Sequence, residues 1–308
     1  GYTWHAAPDG GATFPTADGG WIYVSNSEVP INGGASAIRF DAGGTITDAY
    51  RILSGTTVNC AGGATSSGTW LSCEEVGRGR VFECDPTGAT TAIERPALGR
   101  FKHEAAAEDP ATGTLYLSED ERTGALYRMV PDTPGDLSSG RLDVLTENAG
   151  VAGWEPVPDP TAVSTATRDQ VPGTKRFDGG EGIVVRDGVV YLGTKGDNRV
   201  WAYDIAAGDL SVIYDAASSP DPDLTGVDNI ALLPGAGTDG LLVAEDGGNL
   251  ELVVVRPDGT TTPVLQLTGV LGTELTGPAF DPSGTRLYFS SQRSPGVTYE
   301  VTGDWSQF

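Results

Sequence analysis

The sequence predicts an all-β fold: a six-bladed β-propeller, with four-stranded antiparallel blades around a central channel. Three observations carry that expectation. One unit recurs six times down the chain, and repeats of this period mark stacked or radial architectures. Each unit reads as short apolar strands separated by turn residues, and the 308 residues include 44 Gly and 20 Pro. Helix signals are scarce, since alanine-rich runs such as 104–108 are too short to matter. A solenoid of parallel coils ranks second, because it needs tighter and more uniform repeats.

Residues 1–20 are rich in Gly, Ala and Pro without a periodic pattern, and are expected to wrap an outer edge or complete a blade. The first copy of the unit shows only its second half, Trp21-Ile-Tyr-Val-Ser-Asn-Ser-Glu28. The clearest copy runs from Asn59-Cys-Ala-Gly-Gly to Trp70-Leu-Ser-Cys-Glu-Glu75, with Cys60 fifteen residues before Glu75. Glu104 stands fifteen before Glu119, Glu181 fourteen before Lys195, Asn229 sixteen before Glu245 and Glu274 eighteen before Gln292. A third strand usually follows, at 79–85, 125–131, 200–204, 250–256 and 297–301, and a more variable fourth often comes after it. Residues 131–177 interrupt the repeat and are too long for an ordinary connection. Within them 141–147 is expected to be a blade's outer strand, and the rest a loop or cap over one face. The whole of 1–308 is then one domain carrying that insertion.

The formal net charge is −23, from 19 Lys plus Arg against 42 Asp plus Glu. Such a surface repels nucleic acid and anionic membranes. It suits calcium, which takes carboxylate and carbonyl oxygens, although most of the acidity serves solubility or a salty habitat. No apolar run approaches the length of a membrane span. A monomer acting on a small molecule is expected.

In a propeller the first strand of every blade lines the channel, so the residues opening those strands converge at one mouth. Here they are Cys60, Glu104, Glu181, Asn229 and Glu274, with further carboxylates at Glu28, Glu75, Glu119 and Glu245. Inward-facing carboxylates around one thiol are costly unless something cationic sits among them. One or two of these carboxylates are expected to bind turn amides or arginines instead. Glu74 points away from Glu75 along its strand and is expected at the rim. His103 is open to three readings: ligand, general acid or satisfied core histidine. With two histidines and no Cys-x-x-Cys or His-Glu-x-x-His, zinc is disfavoured. The absence of Gly-x-Ser-x-Gly leaves a serine triad little support. Lys195, Arg199 and Arg100 are candidates to hold an anionic substrate. Lys195 leads them because it replaces Glu in the repeat.

The three cysteines are Cys60, Cys73 and Cys84. Cys73 and Cys84 fall on the two strands of one hairpin, expected on one face, and a small register shift or bulge would bring them within bridging distance. A Cys73–Cys84 disulfide is therefore expected, with Cys60 left over. Cys60 reads either as a small buried hydrophobe or as a metal thiolate, and its place beside the acidic ring favours the second.

Asn59-Cys-Ala-Gly-Gly…Gly68-Thr-Trp-Leu-Ser-Cys-Glu-Glu, Gly99-Arg-Phe-Lys-His-Glu, Tyr116-Leu-Ser-Glu-Asp, Leu126-Tyr-Arg-Met-Val-Pro, Gly196-Asp-Asn-Arg-Val-Trp and Val227-Asp-Asn-Ile together resemble the PhoX family of bacterial alkaline phosphatases. The resemblance spans roughly 21–305. It implies a six-bladed propeller with an iron–calcium cluster (Fe3+ and Ca2+) in the channel mouth, export to the periplasm or beyond, and hydrolysis of phosphate esters. By motif, Cys60 and Glu75 match the family's iron ligands, and Glu104 and Glu181 its acidic cluster ligands. The chain departs from the family in two places. It has Asn26-Ser27-Glu28 where the family commonly reads Asn-His-Glu, and Gly179-Gly180-Glu181-Gly182 where it commonly reads Arg-Pro-Glu-Gly. The second change removes an arginine expected to hold phosphate. Two other functions fit the repeats: a calcium-dependent lactonase on a similar propeller, which would not need Cys60, and a non-catalytic binding propeller in which calcium is structural.

Overall fold

The computed structural model describes residues 1–235 and 238–308. These form six antiparallel sheets arranged in a ring, with short 3-10 turns between them. The blades cover residues 8–56, 59–94, 103–156, 180–215, 227–266 and 275–302. Four blades have the expected four strands, whereas blade 3 has five and blade 6 has three. The inner strands are Pro8–Pro15, Asn59–Ala64, His103–Glu108, Gly180–Arg186, Val227–Leu232 and Leu275–Phe280. Each packs beside the next, and the last beside the first, which closes the ring.

The middle strands are apolar because both their faces are covered by neighbouring blades. Leu71, Cys73 and Val81 of blade 2 pack on Leu115, Leu117 and Tyr127 of blade 3, and comparable clusters fill the other interfaces. The inner strands follow another rule. They crowd around a narrow waist, and the first three are rich in Gly and Ala. A Cβ added to Gly10 would lie 2.5 Å from the Ala61 Cα of the next blade. That composition hid the first of them, because Pro8–Pro15 carries no apolar alternation. The N-terminal segment thus completes blade 1 instead of wrapping an edge.

Blades 1 and 6 share no strand. Their seam is sealed by Trp21, Tyr23, Phe40, Ala279 and Tyr288. Hydrogen bonds cross it from Trp21 Nε1 to the Tyr288 hydroxyl (3.2 Å), from Thr276 Oγ1 to the Pro8 carbonyl (2.7 Å) and from Trp4 Nε1 to Thr298 Oγ1 (3.0 Å).

Residues 141–147 do lie within a strand of blade 3, Asp136–Asn148, which a fifth strand, Val151–Pro156, then covers. The chain from 157 to 179 follows as a loop with one 3-10 turn, Thr167–Asp169.

The expected disulfide is not formed: Cys60, Cys73 and Cys84 are all free and buried. The hairpin register explains this. Cys84 pairs with Trp70, and Cys73 with Val81. Directly paired residues share a face and successive residues alternate, so Cys73, three residues beyond Trp70, points to the opposite face from Cys84. Cys73 fills the interface with blade 3, and Cys84 fills the interface with blade 1.

Candidate metal centre at the channel mouth

Two sets of residues meet at one end of the channel. The first set opens the inner strands. Each of these strands carries one extra residue near the mouth relative to its partner: the register slips between Pro8 and Gly11, Asn59 and Gly62, Gly180 and Ile183, Val227 and Ile230, and Thr276 and Ala279, and likewise opposite Leu117 and Glu119 in blade 3. A bulge re-aims the side chain it carries. In five blades the residues at this point are Asp9, Cys60, Glu104, Glu181 and Asp228. In blade 6 the position is Gly277, and Glu274 reaches in from just before the strand. The second set follows directly after the second strands, which end at Ser27, Glu74, Glu119, Thr194, Glu245 and Ser291. The next residues are Glu28, Glu75, Asp120, Lys195, Asp246 and Gln292.

These side chains form four groups in which possible ligand atoms lie within 4.8 Å of one another: Asp9-Glu28-Cys60, Cys60-Glu75-Glu104, Glu104-Glu181-Asp228 and Asp228-Asp246-Glu274. Cys60, Glu104 and Asp228 each belong to two groups, so the four make one continuous string. Cys60 Sγ donates to Glu104 Oε1 at 3.1 Å. Lys195 Nζ lies 3.1 Å from Glu181 Oε1 and 3.2 Å from Asp246 Oδ2. Lys102 Nζ lies 2.8 Å from Glu75 Oε1 and 2.7 Å from Asp120 Oδ2. Gln292 Nε2 donates to Asp9 Oδ2 (2.6 Å) and Glu28 Oε2 (2.5 Å).

Two lysines do not balance nine carboxylates. Burial first, and then the neighbouring acids, push Asp9, Glu104 and Glu181 well above the usual carboxylate range. The same causes take Glu274 up to about 11 and the Cys60 thiol well above its ordinary value. Burial also raises Glu75 to about 8, aided by Asp120 and opposed by Lys102. Asp228 rises less, to about 6, because Lys195 opposes its burial. The Lys195 ammonium is itself disfavoured by burial, but Asp228, Glu181 and Glu104 more than offset this and raise it. Among the described residues Glu181 Oε1 is a buried acceptor without a hydrogen-bond donor, its one close contact being the ion pair with Lys195. An orphaned carboxylate oxygen, excess negative charge and a string of oxygen donors around one thiol fit bound cations.

Not every expected residue reaches the mouth. The structure gathers Cys60, Glu75, Glu104, Glu181, Glu28, Glu274 and Lys195 there. It turns Glu119 into the blade, where Arg168 Nη1 (2.6 Å), the Tyr127 hydroxyl (2.9 Å) and the Ala125 amide (3.1 Å) bind it. Glu245 likewise accepts from the amides of Thr225 (2.8 Å) and Glu251 (3.0 Å). Asn229 is a spacer: its Nδ2 donates to Asp228 Oδ1 and its Oδ1 accepts from the Gly277 amide. His103 packs under Phe101 with Nε2 3.2 Å from the Gly99 carbonyl, and burial drives its pKa down to about 3. Arg199 pairs with Asp197 and Asp215 at the side of blade 4. Glu74, expected at the rim, is buried on Arg80. Reading from sequence missed Asp9, Asp228, Asp246, Asp120 and Lys102. The signal for Asp9 was present: an acid before a Gly pair, as Cys60 precedes Ala61-Gly62-Gly63.

Gly179, where the related motif has arginine, holds φ +71°. A Cβ there would stand 3.2 Å from Asp120 Oδ1 and 3.8 Å from Glu181 Oε1, so position 179 faces the acidic mouth.

The fold and this mouth define a propeller with a candidate cation-binding centre at one end of its channel. Residues 23–80 and 77–199, more than half of the chain, match the alkaline phosphatase PhoX family. The chain belongs to that family, and is therefore a phosphoric ester hydrolase of a metal-dependent kind. Among solved structures it is similar to Pseudomonas fluorescens PhoX in complex with vanadate, with 19% identity, a TM-score of 0.75, and 94% of this chain and 84% of that one covered. It is also similar, at 15% identity and a TM-score of 0.53, to XC5397 from Xanthomonas campestris, a gluconolactonase, covering 98% of this chain and 88% of that one. At these identities the two structures establish the fold. No curated protein matches the chain by sequence. No helix among the described residues is long and apolar enough to cross a membrane.

Proposed function

We propose that the chain hydrolyses small phosphate esters at the channel mouth with an iron–calcium cluster, as an exported, periplasmic or extracellular, monomeric single-domain enzyme. The observation that carries this reading is the string of four ligand groups linked through Cys60, Glu104 and Asp228. Shared donors are what a centre of several metals requires. Cys60, with Glu75 and Glu104, offers the one soft donor and would hold iron. The two all-carboxylate groups, Glu104-Glu181-Asp228 and Asp228-Asp246-Glu274, would hold calcium. When bound, the cations supply polarisation of the phosphoryl oxygens and offset the charge of an in-line displacement.

The chain's own residues prepare the site. To become a ligand the Cys60 thiol must give up its proton, and Glu104 Oε1 at 3.1 Å is placed to take it. Lys102 holds Glu75 and Asp120 in fixed orientation. Lys195, about a third exposed, is the cation left to attract a phosphate where Gly179 supplies none.

The gluconolactonase likeness keeps a second reading in view: a lactonase on the same scaffold, for which neither Cys60 nor so many acids would be needed. Elemental analysis and turnover distinguish the two. Purified protein is expected to carry iron and calcium and to release phosphate from aryl phosphate mono- or diesters at alkaline pH, with chelation abolishing turnover. Iron-free protein working at full rate would sink the cluster. Opening of gluconolactone without phosphate release would establish the second reading.

A further inference from the structure

Beside the acidic mouth lies a second, unlike cavity. It holds about 200 Å³ between the turn around Arg78 of blade 2, the Arg100–Lys102 segment that leads into blade 3, and the loop at 162–168, which forms its far wall. Four of the chain's 19 cationic side chains line it: Arg78, Arg100, Lys102 and Arg168. Two acids, Glu119 and Glu121, line it as well. In a chain with net charge −23 this concentration of cations is exceptional.

The cations are engaged to different degrees. Arg168 serves Glu119, and Arg100 pairs with Glu94. Lys102 also belongs to the mouth, since its Nζ contacts Glu75. It therefore joins the two cavities. Arg78 donates only to the Thr161 carbonyl, at 3.2 and 3.1 Å, and makes no ion pair among the described residues. Its backbone also holds φ +59°, and Ala162 in the opposite wall holds φ +49°, both unusual for residues other than glycine. Strained backbone that sets an unpaired guanidinium against a cavity fits a binding role.

We infer that this cleft seats the alcohol portion of a phosphate ester that carries a second anionic group, a carboxylate or another phosphate, while the scissile phosphate lies at the mouth. The inference rests on the phosphoesterase reading and adds the substrate class. Lys102 marks the junction, and the Arg78 guanidinium, planar and always charged, meets the second anion. Glu119 and Glu121 are turned to Arg168, the first at 2.6 Å and the second at 4.0 Å, so they leave Arg78 facing the ligand.

The test uses a matched pair, phenyl phosphate and 3-carboxyphenyl phosphate, on the metal-loaded protein. Arg78→Gly is the variant, because glycine accepts the left-handed backbone at that position. Arg78→Gly together with Arg100→Gln is the second variant. Calorimetry is expected to show the carboxylated compound binding about fivefold more tightly to the wild type, an advantage of the size expected for partly exposed charge pairs, with the preference lost in both variants. Binding and turnover of phenyl phosphate are expected to stay unchanged in Arg78→Gly. An equal affinity of wild type for the two compounds, or a preference that survives both variants, would overturn the cleft assignment. Preferential binding without hydrolysis of either compound would leave the cleft standing and remove the phosphoesterase reading instead.

Discussion

Glu119 and Asp120 are adjacent in the chain and point opposite ways: Glu119 lies 2.6 Å from Arg168 inside blade 3, and Asp120 lies 2.7 Å from Lys102 at the channel mouth. The same division separates Glu74 from Glu75 and Glu245 from Asp246. The last residue of each second strand anchors its blade, and the residue after it faces the mouth.

That division predicts different consequences for two conservative substitutions. Glu75→Gln is expected to lose iron and activity together, with the fold retained, as is Cys60→Ala. Glu119→Gln is expected to keep its metal and lose stability, by about 1–3 kcal/mol, because Arg168 loses its charged partner. Elemental analysis with urea unfolding checks both. Loss of iron from Glu119→Gln at full stability would reverse the assignment.

Lys195→Ala is expected to raise KM for aryl phosphates about tenfold while kcat changes little, if the ammonium binds substrate and transition state alike. Lys195→Arg is expected to recover most of the loss. A kcat that falls with KM unchanged would instead place Lys195 in the chemical step.

Thiol titration in denaturant is expected to count three thiols per chain, and none reactive in the folded, metal-loaded protein. A peptide in which Cys73 is bridged to Cys84 would contradict the hairpin register.

His5 gives a pH signature of its own. It is buried between Ser36 Oγ (2.9 Å) and Ser25 Oγ (3.3 Å), and burial, with Arg51 adding to it, lowers its pKa to about 3. The unfolded chain binds a proton near the ordinary histidine value of about 6.5. Between that value and about 3 the unfolded state holds more protons, so the contribution of His5 falls as pH drops through this window. His5→Asn is expected to give a shallower dependence of Tm on pH between 4 and 6.5. An unchanged slope would show that His5 is protonated without cost.

The propeller was legible because second strands such as Leu115–Glu119 and Leu241–Glu245 are short buried runs ending in a polar residue, repeated at a steady period. The site was legible only to within a residue. The bulge on every inner strand adds one position that pattern matching cannot see, so Asn229 stood in for Asp228. Glu119 and Glu245 stood in for the acids after them because in both places two acids stand side by side at the strand end. The first inner strand was hidden because packing at the waist demands Gly and Ala, which in sequence resemble a loop. The face assignment of Cys73 and Cys84 depended on a register that a single residue in the turn inverts.

The string of ligand groups begins on blade 1 with Asp9 and Glu28 and ends on blade 6 with Glu274, passing through every blade between. It is a horseshoe, open where the two ends of the polypeptide meet, and there Gln292 reaches across to Asp9 and Glu28. A transient parting of blades 1 and 6 would therefore separate no group of ligands from one another.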